Sequence, residues 1–190
     1  MDIVVDIQFL KGINNGSIPK EVAVLALNDE FLSHWIIAPP YTTSKFSTKV
    51  RLQNNYLTQH HHGLDWYDGD ITKEQLINNL QQLSKDVGKV YVRGAEKVNF
   101  LQDITAREIT NLEIYTESPK MKNLPWNDLY CIRHSMKHCY MTFSCALNNA
   151  SRLKNWLNDN LKKLRGIDRV DDSHELSYQD THTYDRSLHG

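Results

Sequence analysis

The chain has 190 residues, 40% of them hydrophobic, with 22 basic and 23 acidic side chains. That is enough apolar material for a buried core, and the length favours one domain over two. The formal net charge of −1 excludes a strong global basic excess, so any RNA or DNA contact would need a local patch.

In chain order, "IVVDIQFL" at 3–10 is apolar and β-branched around one Asp and predicts a buried strand. "NNGS" at 14–17 has turn chemistry, and "IPKEVAVLALN" then gives an almost continuous apolar run suited to a central strand. "LSHWIIAPP" is a third strand ended by two prolines, which completes an antiparallel meander. Residues 44–58 take a helical period, and "HHHGLDWYDGD" reads as a loop. Thr72 and Gln75 form a capping box for a helix whose stripe is Leu76, Ile77, Leu80 and Leu83. "KVYVR" at 89–93 is a strand, "AEKVNFLQDI" a short helix and "NLEIYT" at 111–116 another strand. A last helix spans about Ala146 to Leu164, with Ala150, Leu153, Leu157, Leu161 and Leu164 inward. The expected domain is residues 1–164, followed by a polar tail, 165–190, read as disordered because the apolar period vanishes. No apolar run approaches a membrane span of about 18 residues, and "MDIVVDIQFL" lacks a basic lead and a small-residue cleavage site. No membrane association is expected, and an intracellular location, cytoplasmic or nuclear, follows from the same features.

The order is thus β-β-β-α-α-β-α-β-α, which predicts an α/β fold with a mixed central sheet flanked by helices. Three antiparallel strands followed by parallel ones resemble the RNase H-like fold and its DEDD-type 3′–5′ exonuclease branch. "VVDIQF" resembles the first exonuclease motif, "HHGLDWYDGDITKEQLINNL" the helix and loop that follow, "VYVRGAEKVNFL" the second motif and "CALNNASRL" the third. The resemblance covers residues 3 to about 157. It implies four metal-binding carboxylates and a general base, since two divalent ions must activate a water and stabilise the leaving oxygen. At those positions stand Asp6, Gln8, Lys97 and Asn149, with Ser144 in place of the base histidine. Three carboxylates are replaced, so an ordinary two-metal nuclease and bound magnesium are not expected. A rebuilt nuclease would instead combine Asp6 with Asp65, Asp68 or Asp103.

The stretch "CIRHSMKHCYMTFSCAL" holds all three cysteines of the chain. An odd number cannot pair completely, which favours thiolate ligands over disulfides. The chain resembles the Maelstrom domain, a branch of the same fold without the catalytic carboxylates. That resemblance implies a Glu-Cys-His-Cys zinc site: Glu21 in "IPKEVAVLAL", Cys131 and His134 in "CIRH", and Cys145 in "CAL". Tetrahedral zinc takes donors of these types, and a charged Glu21 inside an apolar strand demands a partner. Two thiolates and a carboxylate exceed the charge of the ion, so a nearby cation or backbone donor is also expected. His138 and Cys139 compete for a ligand position, and a salt bridge from Glu21 to Arg133 competes with ligation. Buried thiols that only pack as small hydrophobes are the plain alternative.

The resemblance further implies single-stranded RNA as a ligand, in RNA silencing or in a mobile-element or viral context, and a residual metal-independent ribonuclease activity. Candidate nucleic-acid contacts are Arg93, Lys97 and His62, with His60 and His61 equally placed for the loop histidine. A cation in place of a lost carboxylate could convert a metal site into a phosphate site. A protein-interaction module that binds no nucleic acid is the other class these features allow.

Overall fold

The computed structural model describes residues 1–115, 117–129, 131–136 and 144–175, with only the backbone described for 165–175. It divides into a unit from Met1 to Trp156 and a second from Leu157 to Gly190. The first unit is a mixed α/β structure around one five-stranded sheet.

Strands β1 (Ile3–Lys11), β2 (Ser17–Ala26) and β3 (Leu32–Ile36) form the antiparallel meander. Helices α1 (Thr48–His60) and α2 (Lys73–Ser84) follow, then β4 (Lys89–Val92), α3 (Ala95–Gln102) and β5 (Glu108–Asn111). The sheet order is β3-β2-β1-β4-β5, with β4 parallel to both β1 and β5. The central position of β1 explains why eight of its nine residues are buried, as both faces are covered. Its odd residues Ile3, Val5, Ile7 and Phe9 pack with Leu76, Leu80 and Leu101 of α2 and α3. Its even residues face the other side, where Leu10 meets Phe46, Val50 and Trp66. On that face Asn149, from the start of α5 (Ala146–Glu175), reaches Asp6.

The capping box at Thr72 and Gln75 is present with both reciprocal bonds. The last parallel strand lies earlier than expected, at Glu108–Asn111 rather than 111–116, and Leu112–Ile114 turn into a 3₁₀ helix. Asn111 explains the stop, since its side chain accepts from the Glu113 N–H and competes with a continuing ladder. A short helix α4, Ile132–Met136, occupies what sequence showed only as a loop.

Within the second unit α5 continues to Glu175, eleven residues past the end of the apolar period at Leu164. Residues 165–175 contain no proline, and Gly166 alone costs only about 1 kcal/mol relative to alanine in a helix. The rest of the expected tail, 176–190, lies outside the described residues. No described helix is long and apolar enough to cross a membrane.

Candidate metal centre and cleft

The β1–β2 ladder is regular except near Pro19. Gln8 pairs with Glu21 and Phe9 with Pro19, so Lys20 is an extra residue on β2. Proline brings no N–H to the ladder, and the resulting bulge re-aims the side chains beside it. Lys20, 1% exposed, places its ammonium among the carbonyls of Ile37, at 3.0 Å, Trp66, at 2.7 Å, and Asp68. Burial is the main reason its pKa falls to about 8, while Asp68 opposes the shift.

This cage ties the bulge to the loop of residues 61–71. The loop also lies against β3 through Asp70 N–H to Ile36 O, 2.9 Å, and Ala38 N–H to Ile71 O, 2.8 Å. Gly69 makes the approach possible. Its φ is +151°, and a Cβ there would sit 2.2 Å from the Ala38 nitrogen.

Glu21, the next residue, is fully buried. Ligand atoms of Glu21, Cys131, His134 and Cys145 all lie within 4.8 Å of one another, and all four residues are buried. The Glu21 Oε1 is 3.4 Å from Cys145 Sγ and 3.7 Å from His134 Nδ1. Metal–ligand distances of about 2.0–2.3 Å set tetrahedral edges of about 3.3–3.8 Å. Cys131 Sγ and His134 Nδ1 are closer, at 2.8 Å, a hydrogen-bond distance. The two thiols hydrogen-bond each other, which holds Cys131 below and pushes Cys145 above the ordinary thiol range.

Outer contacts orient the donors. His134 donates from Nε2 to His62 O at 2.5 Å, which turns Nδ1 toward Cys131 and Glu21. The Glu21 Oε2 accepts the Ala146 N–H at 2.8 Å, at the positive end of α5, and Oε1 accepts from His34 Nε2 at 2.9 Å. Burial raises the Glu21 carboxyl, but the His34 hydrogen bond, His134 and the Ala146 N–H together hold it below its usual value. The extra negative charge of the donor set therefore has both a backbone donor and a histidine beside it. These four residues could hold a metal ion.

Arg133 does not compete for Glu21, since it pairs with Asp68 and Asp70. His34 was not identified from sequence; its only signal was a polar residue in the third strand. His138 and Cys139 lie outside the described residues.

The positions assigned to lost carboxylates also converge. Asp6, 1% exposed, pairs with Lys97 and accepts from Gln8 Nε2 and Asn149 Nδ2, each at 3.1 Å. Both amides also donate to Ser144 Oγ, at 3.3 and 3.0 Å. Burial raises the Asp6 carboxyl above its ordinary value, and Lys97 and Asn149 oppose that shift. The result is a neutralised polar knot. Among the described residues Asp65, Asp68 and Asp103 form no metal-capable group with Asp6.

An open cleft of about 340 Å³ lies against this knot, with Gln53, Leu57, His61, Lys97, Ser144 and Asn149 in its walls. Asn54 fixes the α1 wall to the end of β1 by bonding both Lys11 N and Lys11 O at 2.7 Å.

The three histidines at the end of α1 divide their tasks. His60 is exposed and contacts the Tyr56 ring, with centroids 5.2 Å apart. His61 lines the cleft, and its carbonyl accepts from Ser144 N–H at 2.8 Å. His62 is buried, accepts the Leu64 N–H at Nδ1 and offers its carbonyl to His134. One short segment therefore contacts both the candidate metal centre and the cleft.

His62 has no exposed surface, Lys97 is engaged by Asp6, and Arg93 is held by Pro119 O at 2.8 Å and Glu113 at 3.1 Å. No protein-family model matches the chain, and no curated protein matches it.

Proposed function

We propose that the chain is a catalytically degenerate domain of the DEDD-type exonuclease, RNase H-like class, similar to the Maelstrom domain, that binds single-stranded RNA. The fold assignment is supported by the sheet order β3-β2-β1-β4-β5 and by the switch from antiparallel to parallel pairing at β1. The observation that carries the degenerate reading is the polar knot. Three separate segments deliver Asp6 with Gln8, Lys97, and Ser144 with Asn149 to one place, with an ammonium and two amides around the surviving carboxylate. A site of that composition repels a second cation instead of holding two.

The metal centre would take zinc. Two thiolates, an imidazole and a carboxylate are borderline-soft donors that zinc accepts in closed, four-coordinate structural sites. When bound, the ion supplies cross-linking, joining β2 to α4 and to the start of α5. The chain's own residues position the site: His62 O fixes the His134 tautomer, and Ala146 N–H and His34 hold the Glu21 carboxylate.

RNA binding would use the cleft, whose rim carries Gln53 and His61. A labelled single-stranded RNA tested by fluorescence anisotropy in EDTA, and the same RNA followed for cleavage with magnesium, examines both halves. The proposal expects binding without magnesium-dependent digestion. Rapid digestion abolished by Asp6→Ala would refute the degenerate assignment, and a flat anisotropy at low salt would refute the RNA one. The second outcome would favour a protein-interaction module, for which exposed Ile132 and Met136 on α4 and Trp126 before it offer an apolar surface.

A further inference from the structure

Among the described residues, one face of α1 is left exposed. Leu52 and Tyr56 are 65% and 62% exposed, and His60 is exposed one turn on, so positions 52, 56 and 60 form a continuous outward stripe. Gln53, Leu57 and His61, one residue further round, line the cleft. The stripe and the cleft wall are adjacent flanks of the same helix, pinned to β1 by Asn54.

The charge around the stripe differs from that of the whole chain. Residues 31–64 contain no Asp or Glu, although the net charge of the protein is −1. Lys45 and Lys49 are exposed there and make no ion pair among the described residues. Arg51 instead bonds the Phe46 and Thr43 carbonyls and steadies the turn before the helix. An anionic polymer is the occupant this charge pattern fits.

Spacing points to one such polymer. Successive positions four apart on a helix are about 6 Å apart along its axis. Inserting a side chain between two bases doubles the stacking step of about 3.4 Å to roughly 7 Å, close to that repeat. An unpaired strand with splayed bases can therefore set a base between Leu52 and Tyr56, where Tyr56 offers a ring face and Leu52 an apolar one, with the His60 ring, 5.2 Å from that of Tyr56, backing the platform. A duplex, with its bases already stacked, cannot.

We propose that the Leu52–Tyr56–His60 stripe of α1, flanked by Lys45 and Lys49, is a stacking track that leads unpaired bases of a single-stranded RNA into the adjoining cleft, an inference that rests on the RNA-binding reading above. Tyr56 is the principal stacking platform. Lys49 contributes a phosphate contact.

The test measures anisotropy of a labelled 20-nucleotide oligouridine and of the matching duplex, with wild type, Tyr56→Ala, Tyr56→Phe and Lys49→Ala, across a salt series. Expected are preference for the single strand, affinity lower by about 5- to 100-fold in Tyr56→Ala, and affinity retained in Tyr56→Phe. Lys49→Ala should reduce the slope of log K against log salt by about one. Since Tyr56 is exposed, these variants should fold, and their thermal melts check it. Wild-type binding left unchanged by Tyr56→Ala would overturn the track while leaving the RNA proposal standing. No wild-type binding at low salt, or binding of polyglutamate in its place, would overturn both.

Discussion

Lys97→Met removes the cation that neutralises Asp6, and the structure sets the expected cost. Asp6 is 1% exposed and the Lys97 side chain 18%, so solvent replaces little of the lost interaction. Breaking a buried pair by deleting one partner costs about 3–5 kcal/mol. The two amide N–H groups at 3.1 Å remain on Oδ2 and soften the loss, which places the expectation near the lower end, about 3 kcal/mol at pH 7.5. The cost should depend on pH with a defined sign. Burial already raises the Asp6 carboxyl despite Lys97, and the variant raises it further. An acid whose folded pKa exceeds its unfolded one loses stability as pH climbs through that interval, so the deficit should shrink on going from pH 7.5 to 5. Urea unfolding at both pH values, with an unchanged m-value, gives the number. Asp6→Asn combined with Lys97→Met should recover most of the loss, because no buried charge is left. A single variant costing under about 0.5 kcal/mol at both pH values would show that the ion pair does not organise this end of the sheet.

Three further outcomes follow from the loop that borders the cleft. Burial is the largest reason the His62 pKa falls to about 4. A base depressed on folding loses stability as pH drops from its ordinary 6.5 to that value, by up to about 3 kcal/mol. Urea unfolding of metal-free protein should therefore show a steeper acid loss in wild type than in His62→Asn, and equal slopes would refute the assignment. Lys20→Met leaves the Ile37, Trp66 and Asp68 carbonyls without their shared donor and should cost about 3 kcal/mol; a loss within 0.5 kcal/mol of zero, on the order of a neutral surface change, would contradict the cage. Gly69→Ala should lower the melting temperature far more than Gly94→Ala. Both glycines have positive φ, but only Gly69 would press a Cβ onto backbone, whereas nothing lies within 4 Å of one at Gly94. Equal shifts would contradict the close packing against Ala38.

Much of this arrangement was legible because the signals were local. Continuous apolar runs marked the meander, and the capping box located α2. The cluster residues were legible from donor types, since a glutamate in an apolar strand and a Cys-x-x-His turn each require a partner. What escaped was non-local or competed locally. His34 matters only because β3 lies beside β2. The fate of Lys97 depends on α3 bringing it to Asp6, and a lysine that looks free in sequence is already paired. The histidine run gave no hint of which ring turns inward; that is set by the end of α1, where Gly63 takes φ 70° and turns the chain. The last parallel strand was misplaced because "NLEIYT" alternates like a strand while Asn111 already ends one.

The candidate metal centre is tested most directly by elemental analysis of protein purified without added metal, for wild type, Glu21→Gln and Cys131→Ser. The account predicts about one zinc per chain in wild type and its loss in both variants, together with a lower melting temperature. Wild type free of zinc, or variants that keep a full complement, would contradict it.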